Sequence, residues 1–429
     1  MTRACLAGVW ICIILLLAGG VTYADPVSME ADLPSLVGSY LDDPDPAQAE
    51  STLQVILAHP EATIERVGRA VQTGRAYVAQ PLGTMVDERI AVHDRSYQYA
   101  LSVPLTYQPT KGYGLVVCLH GAGFTGESYL ERWQSRLGED YLLVCPTYPA
   151  GAWFTRRAED LVIAVVRKVQ RQYHIDPDRI FLTGMSNGGI GAWLIGMHQA
   201  PMFAGIAPMA GGLDAVLMPF LANLRNTPVY IIHGAKDQVM PVELSRSISR
   251  ELAALGYPHR YREHNREHPM AGGHYFPREE LPDLIAWLNL QRRNPYPTRL
   301  TMVREATHLQ PFSWLRLEAT DPIAAFSDDL VNKRDDRIKG REYARLDATI
   351  AAPNRIEVTA DRVQRYSLFL NDALIDPAKP LTVVTNGTVS FEGIVQPSLE
   401  TLLRQARGRH DARLLFPIHL TIAVQKPPA

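Results

Sequence analysis

Apolar residues recur at helical spacing through residues 28–77: Leu33, Leu36, Val37 and Leu41, then Leu53, Ile56 and Leu57, then Ile64, Val67 and Val71. This spacing predicts three short helices. Asp45 before Pro46 suits the start of the second, because its carboxylate can cap free N–H groups and proline costs nothing in the first turn. After Pro81 the pattern changes. Residues 85–92 and 97–103 read as strands, and 115–119 is an unbroken apolar run closed by His120-Gly121-Ala122-Gly123. Helix-like stretches at 127–137, 157–173, 188–197, 242–255 and 281–290 then alternate with strand-like ones at 141–145, 180–183, 205–209, 229–233 and about 260–263. Unbroken apolar strands alternating with helices predict the α/β class, a mostly parallel sheet flanked by helices on both faces.

Arg292-Arg293-Asn294-Pro295-Tyr296-Pro297 ends this alternation, and the remainder is β-rich, with strands expected at 300–303, 313–318, 344–350, 355–359, 366–370, 381–384, 389–394 and 414–424. One helix-like stretch stands near 399–406, and Asn386-Gly387 signals a tight hairpin because both residues tolerate positive φ. No repeat appears at propeller or solenoid periods. The expected division is a signal at 1–24, an N-terminal helical arm at 25–80, a catalytic α/β domain at 81–294 and a C-terminal β-rich domain at 299–429. The parallel sheet is already complete near residue 290, so the chemistry should not need the tail.

The first 24 residues stand apart. Arg3 precedes an apolar run at 6–18 that is short for a membrane span and ends at Thr22-Tyr23-Ala24. This predicts a cleavable secretory signal cut after Ala24, a secreted or periplasmic location, and no stable membrane insertion once it is removed. An uncleaved anchor is the alternative. Cys5 and Cys12 would leave with the signal, and Cys118 and Cys145 read as buried thiols, a single disulfide being the other option. Lys plus Arg total 43 against 45 Asp plus Glu, a net charge of −2, so no global basic field favours nucleic acid or an anionic bilayer as partner. With 46% apolar residues the chain is globular in composition, and its length suits about two domains at ~150 residues each.

Candidate chemistry centres on Gly184-Met185-Ser186-Asn187-Gly188-Gly189, between an apolar strand and a helix. A nucleophilic serine on such a turn needs small neighbours, and Gly184 and Gly188 supply them. The backbone N–H of Asn187 and that of Ala122 are the expected oxyanion donors, with Gly123 and Phe124 as near alternatives to Ala122. An acid and a histidine should follow in order. Asp237, just past the end of the apolar strand at 229–233, fits the acid better than Asp214; of the histidines beyond it, His274 after Ala271-Gly272-Gly273 fits the base better than His268. His264-Asn265-Arg266-Glu267-His268 spells a zinc-peptidase pattern, but that pattern needs a helix, and the preceding strand and Pro269 argue against one. His120 and His233 read as hydrogen-bonded structural groups. Phe124, Trp153, Phe154, Tyr275 and Phe276 are candidates for an apolar pocket, aromatic core packing being the competing reading.

With these residues assembled, the chain resembles the α/β-hydrolase superfamily. Within it, the stretch from Gly83 to Asn294 is similar to secreted esterases of the polyhydroxybutyrate depolymerase and feruloyl esterase kind, which overlap prolyl-oligopeptidase-like hydrolases. The matching pieces are Leu119-His120-Gly121-Ala122-Gly123, Asp176-Pro177-Asp178-Arg179-Ile180, the Ser186 turn, His233-Gly234-Ala235-Lys236-Asp237 and Gly272-Gly273-His274. The resemblance implies a Ser186, Asp237, His274 triad, no metal or other cofactor, and an ester substrate, with polymeric and aromatic esters both open. Two rivals remain: a prolyl-oligopeptidase-like peptidase, although the helical arm does not look like the propeller typical of that family, and an inactive hydrolase fold that binds a glycan or polymer.

Overall fold

The computed structural model describes residues 32–73, 75–134, 137–325 and 336–425; the expected signal lies outside them. The arm contains the three expected helices, α1 (Leu33–Asp42), α2 (Pro46–Ala58) and α3 (Ile64–Thr73), with Asp45 capping α2 through Ala47 N. The α/β part follows as β1 (Gly83–Val92), β2 (Arg95–Val103), β3 (Tyr113–Leu119), α4 (Gly126–Gln134), β4 (Tyr141–Pro146), α5 (Arg156–Gln172), β5 (Ile175–Met185), α6 (Asn187–His198), β6 (Gly205–Met209), β7 (Val229–Gly234), α7 (Val242–Ala254), β8 (His259–His264) and α8 (Leu281–Leu290).

The eight strands form one sheet in the order β1-β2-β4-β3-β5-β6-β7-β8. Only β2 runs against the others, pairing antiparallel with both β1 and β4. The unbroken apolar runs occupy its centre: every residue of β3, β4, β6 and β7 is buried, because helices cover both faces. Alternation within β3 divides the core: Leu115, Val117 and Leu119 pack with α5 and α6, while Val116 and Cys118 pack with α4 and α8. Cys118 and Cys145 are both buried free thiols, so the disulfide option does not hold here. Among the described residues, no helix is long and apolar enough to cross a membrane.

The tail adds β9 (Arg299–Arg304), β10 (Leu315–Thr320), the single turn α9 (Asp336–Lys339), β11 (Ala344–Ala352), β12 (Arg355–Asp361), β13 (Val363–Leu370), β14 (Leu381–Thr385), β15 (Thr388–Gly393), α10 (Leu399–Arg409) and β16 (Ile418–Ala423). They build a five-stranded sheet, β15-β14-β12-β11-β9, and a three-stranded one, β10-β13-β16. Asn386 and Gly387 turn β14 into β15 with φ of 51° and 82°, as the hairpin signal requires.

The tail is bound to the rest at several places. A 3-10 helix, Ala215–Asn226, carries Leu217, Phe220, Leu221 and Leu224 into one apolar core shared with β9 and its neighbours. Asn223 completes that join by pairing with both the N–H and the C=O of Val303, at 2.7 and 3.1 Å. Arg293, expected in a linker, is buried. Its guanidinium holds Asp178 and Asp411, with Nε 3.0 Å from Asp178 Oδ1. We therefore propose that the boundary near Pro297 marks a change of architecture within one folding unit. A chain truncated after Pro297 should leave the soluble fraction, because the cut exposes the apolar face of the 3-10 helix. A soluble fragment with a cooperative melt would show the two parts to be independent.

Candidate active site

The strand-to-helix turn after β5 places Ser186 at φ 59° and ψ −123°, a left-handed conformation that costs roughly 1–3 kcal/mol for a non-glycine residue. Its neighbours leave no room for a larger side chain. A Cβ on Gly188 would lie 2.0 Å from the Leu119 carbonyl oxygen, and one on Gly184 would lie 2.4 Å from that of Gly188. Ser186 N–H donates to Met209 O at 3.0 Å, which ties the turn to β6. Asn187 opens α6, where the backbone N–H has no carbonyl four residues back to bond and the helix dipole is positive.

The loop after β3 is clamped by its histidine. His120 is buried, its Nδ1–H donates to Gly121 O at 2.8 Å, and its Nε2 accepts from Tyr148 N at 3.1 Å. Burial pushes its pKa down, so it stays a neutral clamp rather than an acid or base. Trp153 Nε1–H donates to His120 O at 2.7 Å. Ala122 in this loop borders the same cavity as Ser186.

The acid and base loops meet backbone to backbone. A Cβ on Gly234 would lie 2.1 Å from Gly273 O, and one on Gly273 would lie 2.5 Å from Asp237 N. This contact sets His274 Nδ1 2.7 Å from Asp237 Oδ2. The Asp237 side chain is fully buried, and its Oδ1 accepts from Val239 N and Met240 N at 2.8 and 2.9 Å. With Asp237 as acceptor, the Nδ1 of His274 carries the proton and Nε2 is left as the basic nitrogen. His233 lies below, Nε2 3.3 Å from Asp237 Oδ2 and 2.9 Å from Met240 O. Burial lowers its pKa, so it is a neutral support, as its strand-end position suggested.

The alternatives make other contacts. Asp214 caps the 3-10 helix through Val216 N at 3.3 Å. His268 sits on the cavity wall and accepts from Met270 N. His264 ends β8 and His268 lies in the loop beyond it, so the zinc-peptidase spacing does not share a helix face.

Ser186, Ala122 and His274 border one cavity of ≈ 880 Å³. Phe124, Tyr275 and Phe276 line it as expected, whereas Trp153 is fully buried in the core and Phe154 packs partly buried against it. The sequence reading missed Tyr129, Arg132 and Trp133, carried there by the inner face of α4. Trp133 stacks on Phe276 with centroids 5.7 Å apart, and Arg132 lies over Phe124 at 4.6 Å. The α4 spacing was visible, but nothing local said that this face met the cavity.

A second cluster offers metal-ligand chemistry: Glu159, His198 and His308, all buried, with His198 at the opposite end of α6 from Ser186. The rings of His198 and His308 are stacked, with centroids 3.7 Å apart and planes 24° apart. A metal must lie near the plane of each imidazole that binds it, which two stacked rings do not allow. Their nitrogens instead meet one carboxylate oxygen, Glu159 Oε2, at 3.1 and 3.2 Å.

The sheet order and the turn at Ser186 are those of the α/β-hydrolase fold. A model of the prolyl oligopeptidase family matches residues 150–220. A probable feruloyl esterase C of Aspergillus flavus is 27% identical over 183 residues, 40% of this chain and 65% of the relative; the match thus spans just under two thirds of that relative's length. An acyl-protein thioesterase 1 of Gibberella zeae is 27% identical over 216 residues, 41% of this chain and 89% of the relative. A solved thermostable esterase superposes with a TM-score of 0.42 at 26% identity, over 49% of this chain and 63% of that one.

Proposed function

We propose that this protein is a secreted or periplasmic serine hydrolase that cleaves carboxylic esters through Ser186, His274 and Asp237. The observation that carries the reading is the 2.7 Å His274–Asp237 pair on the wall of the cavity that also holds a serine in the left-handed conformation. In this reading His274 Nε2 takes the Ser186 proton as the hydroxyl oxygen attacks the ester carbonyl, and Asp237 stabilises the imidazolium that forms. The N–H groups of Ala122 and Asn187 receive the negative charge on the carbonyl oxygen. The imidazolium then protonates the departing alkoxide, and water attacks the acyl-serine with His274 again as base.

The cavity walls favour an aromatic acyl group. Trp133 and Phe276 offer flat apolar faces, and the relatives named feruloyl esterases act on such a group by name. The experiment compares methyl hydroxycinnamates, p-nitrophenyl acetate and butyrate, and a peptide p-nitroanilide with the full chain. The expected order of kcat/KM is aromatic ester, then short aliphatic ester, with the anilide far behind, since an amide demands more leaving-group protonation. Faster anilide turnover would favour the peptidase that the family model allows. No turnover of any substrate would favour a binding protein.

A further inference from the structure

At the other end of β5 from Ser186 lies a separate cavity of ≈ 390 Å³, where α1, α3, α5, the start of β5 and the end of α10 meet. β5 runs 11 residues from Ile175 to Met185, so at ~3.3 Å per residue the two cavities are roughly 30 Å apart. Four arginines line it, Arg75, Arg167, Arg171 and Arg413, with His174 and His410.

The carboxylates nearby are already taken. Asp42 pairs with Arg75, Asp178 receives Arg413 Nε at 3.0 Å, and Asp411 is held by Arg293. Arg407, behind His410, donates to the backbone carbonyls of Tyr40 and Asp43 and has no carboxylate partner among the described residues. Arg167 and Arg171 of α5 have no carboxylate in ion-pair contact among the described residues, and Arg167 Nε is buried without an acceptor. Burying a guanidinium nitrogen unpaired is costly unless a partner arrives. The local field is also visible in His410, which burial and then the charges of Arg167, Arg171 and Arg407 push down to about 4.

We propose that this cavity binds a multiply charged small oxyanion, a phosphate or a polycarboxylate, through Arg167 and Arg171 of α5. Arg413 and the neutral imidazole of His410 supply further donors from the C-terminal side. A guanidinium fork matches two oxygens of such an ion, and Arg167 and Arg171 line the cavity without a carboxylate among the described residues to neutralise them. Because the cavity is walled by the arm, the α/β part and α10 together, occupancy should also tighten their association. The site is independent of the ester reading.

The test is titration calorimetry of the full chain with inorganic phosphate and, separately, citrate, at constant ionic strength set with sodium chloride. One-to-one binding with Kd below about 1 mM is expected for at least one of them, and Arg171→Met should weaken it by about tenfold or more. Arg171 is exposed, so that variant should fold; Arg167→Met is the second variant, compared only if its far-ultraviolet circular dichroism matches wild type. The relative heats of phosphate and citrate distinguish the two sources of the oxyanion. No saturable heat with either ion, or an unchanged Kd in Arg171→Met, overturns the proposal.

Discussion

Ser186→Ala is expected to lower ester turnover by about a thousandfold or more, and His274→Ala by a similar factor, with the double variant scarcely worse than either single one. The non-additivity is the informative part. If Ser186 is the nucleophile and His274 its base, removing either abolishes the same step, so the losses do not multiply. Asp237→Asn should cost somewhat less, because the nucleophile and base remain, but Asp237 Oδ1 already accepts from Val239 and Met240 and an amide there would upset the tautomer His274 needs. His268→Ala, on the same cavity wall, serves as the control and should keep most activity. Burst and steady-state assays on an active p-nitrophenyl ester, with circular dichroism to confirm folding, decide the matter. Retained turnover in His274→Ala with loss in His268→Ala would mean that the wrong histidine has been assigned.

Glu159→Ala is expected to destabilise the fold by roughly 3–5 kcal/mol, the usual cost of stripping one member from a buried ionic network. Glu159 of α5 is fully buried, takes Gln199 Nε2 at 2.7 Å on Oε1, and holds both His198 and His308 on Oε2. His308 follows β9 and reaches Glu305 through Nδ1, so the network crosses from the α/β part into the tail. Burial alone would raise the Glu159 pKa, yet the charges and hydrogen bonds of His198 and His308 hold it well below the carboxylate range. Burial opposes charge on His308 too, but its bonds to Glu159 and Glu305 raise it above 6.5, whereas burial and the His308 charge lower His198 to about 4.

The signs follow by linkage. The His308 contribution is complete below its unfolded value near 6.5 and is lost as pH rises through its higher folded value. The Glu159 contribution is present above the unfolded carboxylate value and is lost as pH falls below it. His198 works against stability in acid, since between about 6.5 and 4 the unfolded chain binds a proton that the folded chain does not. Urea denaturation should therefore show the gap between wild type and His308→Gln shrinking from pH 6.5 to 9. A gap that stays constant with pH would show that His308 is not charged in the folded protein.

The centre of the sheet was legible because β3, β4, β6 and β7 are buried on both faces, and burial on both faces writes itself as an unbroken apolar run. The Ser186 turn was legible for a related reason: the close approach of Leu119 leaves only glycine at 188. The first half of β5 was not, since Asp176-Pro177-Asp178 interrupts its apolar character, and the strand was expected to begin five residues late, at 180 rather than Ile175. Pro219 likewise hid the 3-10 helix by breaking the pattern that its apolar residues would otherwise make. Trp133 and Arg132 reach the cavity only through the packing of α4, which no local spacing records. Asp237 and His274 were placed by chain order, and the glycine contact that joins their loops becomes visible only in three dimensions.

The helical arm does not complete its own core. Leu33, Leu36, Val37, Leu53, Ile56 and Val67 close around Leu402, Leu403 and Ala406 of α10, and Arg404 bridges to Glu50 at 2.8 Å. α10 begins roughly 330 residues after α3 ends. At ribosomal rates of ~5–20 residues per second the arm would wait on the order of 15–65 s for its partner helix. The arm, made long before α10, is thus among the last parts to find shelter, and its apolar stripe is expected to stay open to holdase chaperones until α10 emerges.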